Sequence, residues 1–230
     1  MLENLIKRAA MAYYNGKPIM SDEVFDHLAK IVNDDNIGYK NLFPLFSLQK
    51  VIQNVDTPPD WGSVDYCMTP KLDGAAISVL YAGGECEKVL TRGDGIEGID
   101  ITHLVKGILV PHLIPRKDVI QISGEVVAPK HIPNARNYAA GALNLKDKEE
   151  FKLRELDFIA HVESPYLTDN YLEDMRAVSD MGIETCIDSD YDMFPKDGSV
   201  FRIIPNEEFD NLGYTSHHPR GAYATKVQEK

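Results

Sequence analysis

Lys71-Leu72-Asp73-Gly74 is the stretch from which the chain is read. Tyr66 to Met68 before it are apolar or aromatic. Ala75-Ala76-Ile77-Ser78-Val79-Leu80-Tyr81 after it has the pattern of a buried strand. The lysine is therefore expected in a turn between two strands, where a rigid scaffold can aim it. A lysine attacks only as the free amine, which cationic neighbours or a metal favour. Alone, the tetrapeptide reads more readily as a solvated lysine beside a turn-forming Asp-Gly. The rest of the chain reverses that preference.

Composition narrows the classes first. A 230-residue chain that is 43% hydrophobic can bury a substantial core, as one large domain or a main domain with a small one. No run approaches the ~18 to 20 apolar residues of a membrane span. The start, Met1 to Arg8, reads as an amphipathic helix and not as a signal peptide. Cys67, Cys86 and Cys186 are odd in number and widely spaced. That argues against a disulfide framework or a cysteine metal site, and it fits a reducing cytoplasm. A net charge of −12 makes a stand-alone nucleic-acid binder unexpected, so such contact needs a local basic patch or a partner.

Residues 2–13 carry apolar side chains at helical spacing, and Asn15-Gly16-Lys17-Pro18 breaks the pattern. Ser21 is a good N-cap for a second helix, with Asp22 and Glu23 in its first turn and Val24, Leu28, Ile31 and Val32 as its apolar stripe. This helical hairpin ends near Gly38. Asp22 and Asp26 share a helix face close to the aromatic pair Tyr13-Tyr14. They read either as a charged outer face or as a pocket for a flat cationic group. Asn41 to Val51 is a greasy linker expected to pack on the next domain. Strands are expected at 64–68, 75–81, 85–91, 119–127, 156–162, 185–187, 199–204 and 222–227. Helices are expected at 101–109, from Asn134, at 169–181 and at 206–212. Short strands interspersed with helices, in no strict alternation, point to an α+β core of mixed or antiparallel sheets.

Lys71, Arg92, Glu125, Arg202 and Lys226 are charged positions on or at the ends of successive strands. Such an array can line a groove with a nucleophile, an acid and several cations, which suits a nucleotide phosphate. The ordered motifs are Lys71-Leu72-Asp73-Gly74, Thr91-Arg92-Gly93-Asp94-Gly95, Gly124-Glu125-Val126, Asn134-Ala135-Arg136-Asn137 with Ala139-Ala140-Gly141, Asp197-Gly198 and Lys226. Together they resemble the adenylation domain of NAD-dependent DNA ligases. Tyr13-Tyr14, Pro18, Ser21-Asp22 and Phe25-Asp26 resemble the N-terminal NMN-binding domain of that class, and Phe46-Ser47-Leu48 the stretch joining the two.

The resemblance implies a nucleotidyltransferase (ATP-grasp-like ligase adenylation) core at 39–230 behind a small helical NMN-binding domain at 1–38. It implies that Lys71 attacks the α-phosphate of NAD, expels NMN and holds AMP for transfer to a 5′-phosphate at a DNA nick, with Mg2+ assisting. Leu72, Asp73 and Gly74 would shape the lysine loop, and Arg92 and Glu125 would contact the ribose. Arg136 would bind phosphate, Arg202 and Lys226 would neutralise the α-phosphate, and Ser47 and Leu48 would border the nucleotide. Tyr13, Tyr14, Asp22, Phe25 and Asp26 would hold NMN. No protein metal ligand set is expected.

The chain departs from the family pattern at Thr69, where glutamate is usual; at Arg202, where lysine is usual; and at Asn144, where arginine is usual. Tyr14 stands where histidine is common and Phe25 where tyrosine is. The family's OB-fold, zinc module, helix-hairpin-helix repeats and BRCT domain have no room here. The expectation is therefore an excised piece, or the adenylation subunit of a split bacteriophage ligase. Nicked double-stranded DNA would then be reached through a second subunit. Two alternatives stay open: an ATP- or GTP-dependent RNA ligase or capping-type enzyme, and a non-catalytic NAD-binding ligase subunit.

Overall fold

Ser21 does cap a helix. Its Oγ accepts from the Val24 amide at 3.3 Å and its carbonyl from Phe25 at 2.9 Å, which starts α1 (Asp22–Val32). The computed structural model describes residues 5–6, 8–9, 12, 17–32 and 40–226. Tyr13 and Tyr14 lie outside the described residues. Leu5, Ile6, Arg8, Ala9 and Ala12 are helical, as the spacing predicts.

Beyond α1 the order is β1 (Gln49–Ile52), β2 (Tyr66–Leu72), β3 (Ala75–Ala82), β4 (Glu85–Thr91), α2 (Thr102–Val105), β5 (Ile120–Val127), α3 (Ala135–Ala142), α4 (Lys148–Lys152), β6 (Asp157–Ser164), α5 (Tyr171–Asp180), β7 (Lys196–Ile203), α6 (Asn206–Leu212) and β8 (Ala222–Lys226). These strands make two sheets. One runs β1-β8-β7-β2, mixed because β1 and β8 are parallel; the other runs β4-β3-β5-β6 and is antiparallel. The α+β expectation with mixed and antiparallel sheets therefore holds.

Sequence and structure part at several places, among them the unexpected α4, and Asp197-Gly198, which lie inside β7 and not before it. Lys71 is not in a turn: it is the next-to-last residue of β2, and only Asp73-Gly74 turns. That turn carries the chain from the mixed sheet into the antiparallel one. The linker ends as β1, paired with β8. The helix expected at 101–109 stops at Val105, because the chain bends back at Gly107 (φ 73°) into a bridge between Lys106 and Val110. The strand expected at 185–187 is a single bridge from Thr185 to Ala160.

The main core lies on one face of the antiparallel sheet. Ile77, Val79 and Tyr81 of β3 and Ile120, Ile122 and Val126 of β5 meet Leu104, Phe151, Met175 and Val178 from the helices. Burying such side chains supplies ~1.5 to 3 kcal/mol each. The opposite face is covered at one end by the hairpin: Leu5, Val24, Leu28 and Leu42 pack with Leu80, Ala82 and Val119. The linker is tied there too, since the Asn41 side chain meets Ser78 Oγ and the Gly95 and Ile96 carbonyls.

Candidate active site

Side chains alternate along β2, so Lys71, Thr69 and Cys67 follow one another on one side, while Leu72, past a register shift, turns into the main core that Cys67 also touches. On β7 their partners are Gly198, Val200 and Arg202, and next to those on β8 come Ala224 and Ala222, with Lys226 following. Lys71 Nζ donates to Asp197 Oδ1 at 2.7 Å, and Lys226 Nζ lies 2.7 Å from Oδ2 of the same carboxylate. Burial raises the Asp197 pKa, but hydrogen bonds from Lys226 and Lys71 outweigh it, and the net value lies below an ordinary aspartate. Two amines thus share one anion at the end of the sheet.

Close backbone approach makes this possible. Gly198 has φ 150°, and a Cβ there would stand 1.8 Å from the Thr225 carbonyl oxygen. Gly74 sits against β5, where a Cβ would meet the Val126 oxygen at 2.1 Å. Its amide donates to the Glu125 carboxylate. Burial pushes Glu125 up to about 7, against the opposing pull of Lys71 and that amide. The charge expected at Glu125 is therefore held beside the lysine, half-buried and able to change protonation near neutrality. Asp73 is anchored by its amide to the Pro195 carbonyl at 2.9 Å, and its carboxylate meets the exposed Arg136 at 3.2 Å.

Arg92 follows β4 and reaches back to the linker, where Nη2 donates to Ser47 Oγ. Arg92 and Lys71 also act on His161 of β6, which the sequence reading did not single out. Desolvation, then the Arg92 and Lys71 cations, lower the His161 pKa below the ordinary histidine value. Nothing in the sequence Phe158 to Val162 separates this histidine from an ordinary strand residue.

Arg202 is not part of the lysine cluster. It stands four residues beyond Gly198 on β7, roughly 13 Å at strand rise. Only 7% exposed, it is stacked between Tyr171 and Phe209 at 4.1 and 4.2 Å. Its guanidinium donates to Ile203 O and to Asn206 Oδ1, and Asn206 in turn donates to Asp174. That buried network satisfies the cation and fixes α5 and α6 to the sheet, whereas Lys226 is the second cation paired with Asp197 beside Lys71. Leu72 and Leu48 are likewise core residues, the second packed by Ile203, Phe209 and Ala222. Thr69 is buried, with its hydroxyl bonded to Cys186. Asp22 and Asp26 are exposed on α1 and Phe25 is half-buried. Asn144 Nδ2 turns back onto its own helix at Ala140 O.

The arrangement is one amine on an anionic tether, a second cation beside it, a carboxyl with a displaced pKa, and an imidazole on β6 within reach of the same cations. This suits attack on a phosphoryl group with a sugar and base extending inward. Residues 24–185 match the family model for the NAD-dependent DNA ligase adenylation domain. A DNA ligase of Sulfurovum sp. is 28% identical over 293 aligned positions, covering 96% of this chain and 45% of its own length. One of Marinobacter nauticus is 29% identical, covering 72% of this chain and 31% of its own length. The chain spans less than half the length of these curated relatives. Among solved structures, mycobacterial DNA ligase D complexed with ATP and MES aligns at a TM-score of 0.43 and 10% identity, covering 78% of this chain and 60% of that one.

Proposed function

We propose, since the chain belongs to the NAD-dependent DNA ligase adenylation family, that it performs the first step of ligation. Lys71 Nζ attacks the α-phosphorus of NAD, a P–N bond forms, and the bond to the NMN phosphate breaks with its electron pair leaving on NMN. The observation that carries this is the pair of 2.7 Å contacts by which Lys71 and Lys226 share Asp197. Lys71 attacks after its ammonium proton has passed to solvent; Asp197 aims the lysine, and Lys226, one strand away, offsets the charge that builds on the phosphoryl oxygens. Glu125 and Arg92 hold the ribose, and the imidazole of His161 offers a flat neutral face for the base.

Asp22, Phe25 and Asp26, with Tyr13 and Tyr14, are proposed to hold the departing NMN. Arg136, exposed beside Asp73, is proposed to meet phosphate at the nick. Nicked DNA would be gripped by the part of the ligase that this chain's relatives carry beyond the matched region, whether joined to it or supplied as a second subunit, as in a split bacteriophage ligase. Among the described residues no three His, Cys, Asp or Glu side chains converge as a metal site. Magnesium commonly binds through one or two carboxylates and the substrate's own phosphates, so Glu125 would hold an ion arriving with NAD, where it would neutralise phosphoryl charge.

The test is intact mass after incubation with magnesium and NAD, beside ATP and a Lys71→Ala control. One AMP gained from NAD and lost in the control is the expected result. Gain from ATP instead would move the protein to the ATP-using ligases and capping enzymes. No gain from either, by folded protein free of bound AMP, would leave a binding subunit.

A further inference from the structure

The linker between the hairpin and the core is fastened to both sheets. Gln121 of β5 is only 3% exposed, and its amide is bonded throughout. Oε1 accepts from the Phe43 amide at 2.9 Å, while Nε2 donates to the Phe43 carbonyl at 2.8 Å and to Ser123 Oγ at 3.3 Å. The side chain does for Phe43 what a paired strand would do, meeting both of its peptide groups. Backbone bonds tie the same stretch to the loop 93–97: Asn41 N donates to Ile96 O and Leu45 N to Gly95 O, each at 2.8 Å. Gly95 (φ 101°) lies so close that a Cβ there would stand 2.7 Å from the Leu45 carbonyl oxygen. Past Ser47 the linker becomes β1, held to β8 from Gln49 onward.

These fastenings surround Arg92. Loop 93–97 is the chain that leaves it, and Ser47, in the short span between Leu45 and Gln49, accepts from its Nη2. The Arg92 amide donates to Ala76 O at 2.9 Å, and Ala76 stands opposite Glu125 in the antiparallel sheet. An arginine side chain has many rotamers, and a contact at its tip from a residue that is itself fixed selects among them. Lys71, Asp197 and Lys226 are held by a different set of bonds, within the mixed sheet. A buried methionine would fill the volume of Gln121 without fastening the linker.

We propose that Gln121 is a positioning residue for the nucleotide: its hold on Phe43 keeps Ser47 where it aims Arg92 at the ribose. The inference rests on the adenylyltransferase reading above and deepens it, by making the linker one wall of the nucleotide site. It concerns the binding of NAD and leaves the attack by Lys71 as described.

The experiment follows the full chain with magnesium over a range of NAD concentrations, reading adenylate by intact mass in a single turnover. The proteins compared are the parent, Gln121→Met, Ser47→Ala and the double variant. Gln121→Met is expected to raise the half-saturating NAD concentration about tenfold and to leave the maximal rate within about threefold of the parent. In the Ser47→Ala background the same change should move half-saturation by less than about twofold, because the contact it serves is already gone; a role in stability alone would add in full. Should Gln121→Met not fold, Gln121→Asn takes its place: the same groups on a stem shorter by about 1.5 Å no longer reach Phe43 as before, and half-saturation should rise in the same direction. With a parent that forms adenylate, a folded variant whose half-saturation is unmoved, a loss confined to the maximal rate, or full additivity with Ser47→Ala each overturns the inference and leaves the adenylyltransferase reading standing. A parent that forms no adenylate overturns both.

Discussion

Glu125 shows how one residue ties the site to the stability of the fold. Burial beside Gly74 pushes its carboxyl up to about 7 despite Lys71 nearby. An acid whose native pKa is raised keeps its proton in the fold when the unfolded chain has lost it. Its contribution to stability is full below the unfolded value near 4.5 and is lost as pH rises to about 7. The difference is worth up to ~3 kcal/mol by pH 8. Glu125→Gln keeps the shape and can still accept from the Gly74 amide, so it should match the wild type at pH 4 and exceed it in stability at pH 8. Denaturant unfolding of both proteins at the two pH values checks this. A gap that does not widen with pH would mean that the carboxylate is better solvated than its position beside Gly74 implies. The same variant should form adenylate more slowly, since a ribose contact is weakened. Opposite effects on stability and activity are the mark of a buried charge kept for chemistry.

At the scale of elements, the site depends on how β7 sits between β2 and β8. Gly198 (φ 150°) pairs with Lys71 of β2 and lies against the Thr225 carbonyl of β8, directly after Asp197. In Gly198→Ala the new Cβ would meet Thr225 O at 1.8 Å in a conformation that alanine rarely adopts. The strands must part at the Lys226 end, at a cost of more than ~2 kcal/mol. A thermal melt should show the loss, and adenylate formation should fall with it because Lys226 moves off Asp197. A variant as stable as the parent would show that the close approach is not required. Strand and helix identity was legible from periodicity and capping, as at α1, β3, β4, β5 and α6, because these patterns are local. Pairing was not. The split of β2 and β3 between two sheets, and the parallel match of β1 to β8, join residues far apart in sequence. Charge position was half legible: β-alternation puts Arg202 on the face of Lys71, but only the aromatic walls of Tyr171 and Phe209 show that it is packed away. His161 was invisible because what marks it, the cations Arg92 and Lys71, comes from other strands.

Over the whole molecule, charge separates the two halves of ligation. The chain carries −12, whereas DNA gripping draws its affinity from cations released against phosphates. Several cations are already committed to carboxylates: Lys71 and Lys226 to Asp197, Arg136 to Asp73, and around α4 Lys152 to Glu149 and Arg154 to Glu150. Exposed pairs of this kind are weak and rearrange for a ligand, but each leaves a carboxylate beside the incoming phosphate. Lysine adenylation needs only NAD and the groove, and so should proceed without DNA. Nick recognition needs cations released for phosphate, and the pairs named above hold theirs on carboxylates. The chain by itself should bind a nicked duplex no tighter than about 10 µM at physiological salt, the range of non-specific contact, and should retain its adenylate in the presence of the nick. Fluorescence anisotropy of a labelled nicked duplex, with and without prior adenylation, measures the first; release of labelled AMP measures the second. Submicromolar binding with turnover would mean that the groove mouth itself holds the DNA, through Arg136 and the basic residues of α4 displaced from their carboxylates. Weak binding with a stable adenylate would place the grip in the portion of the ligase that the longer relatives carry beyond this chain's match.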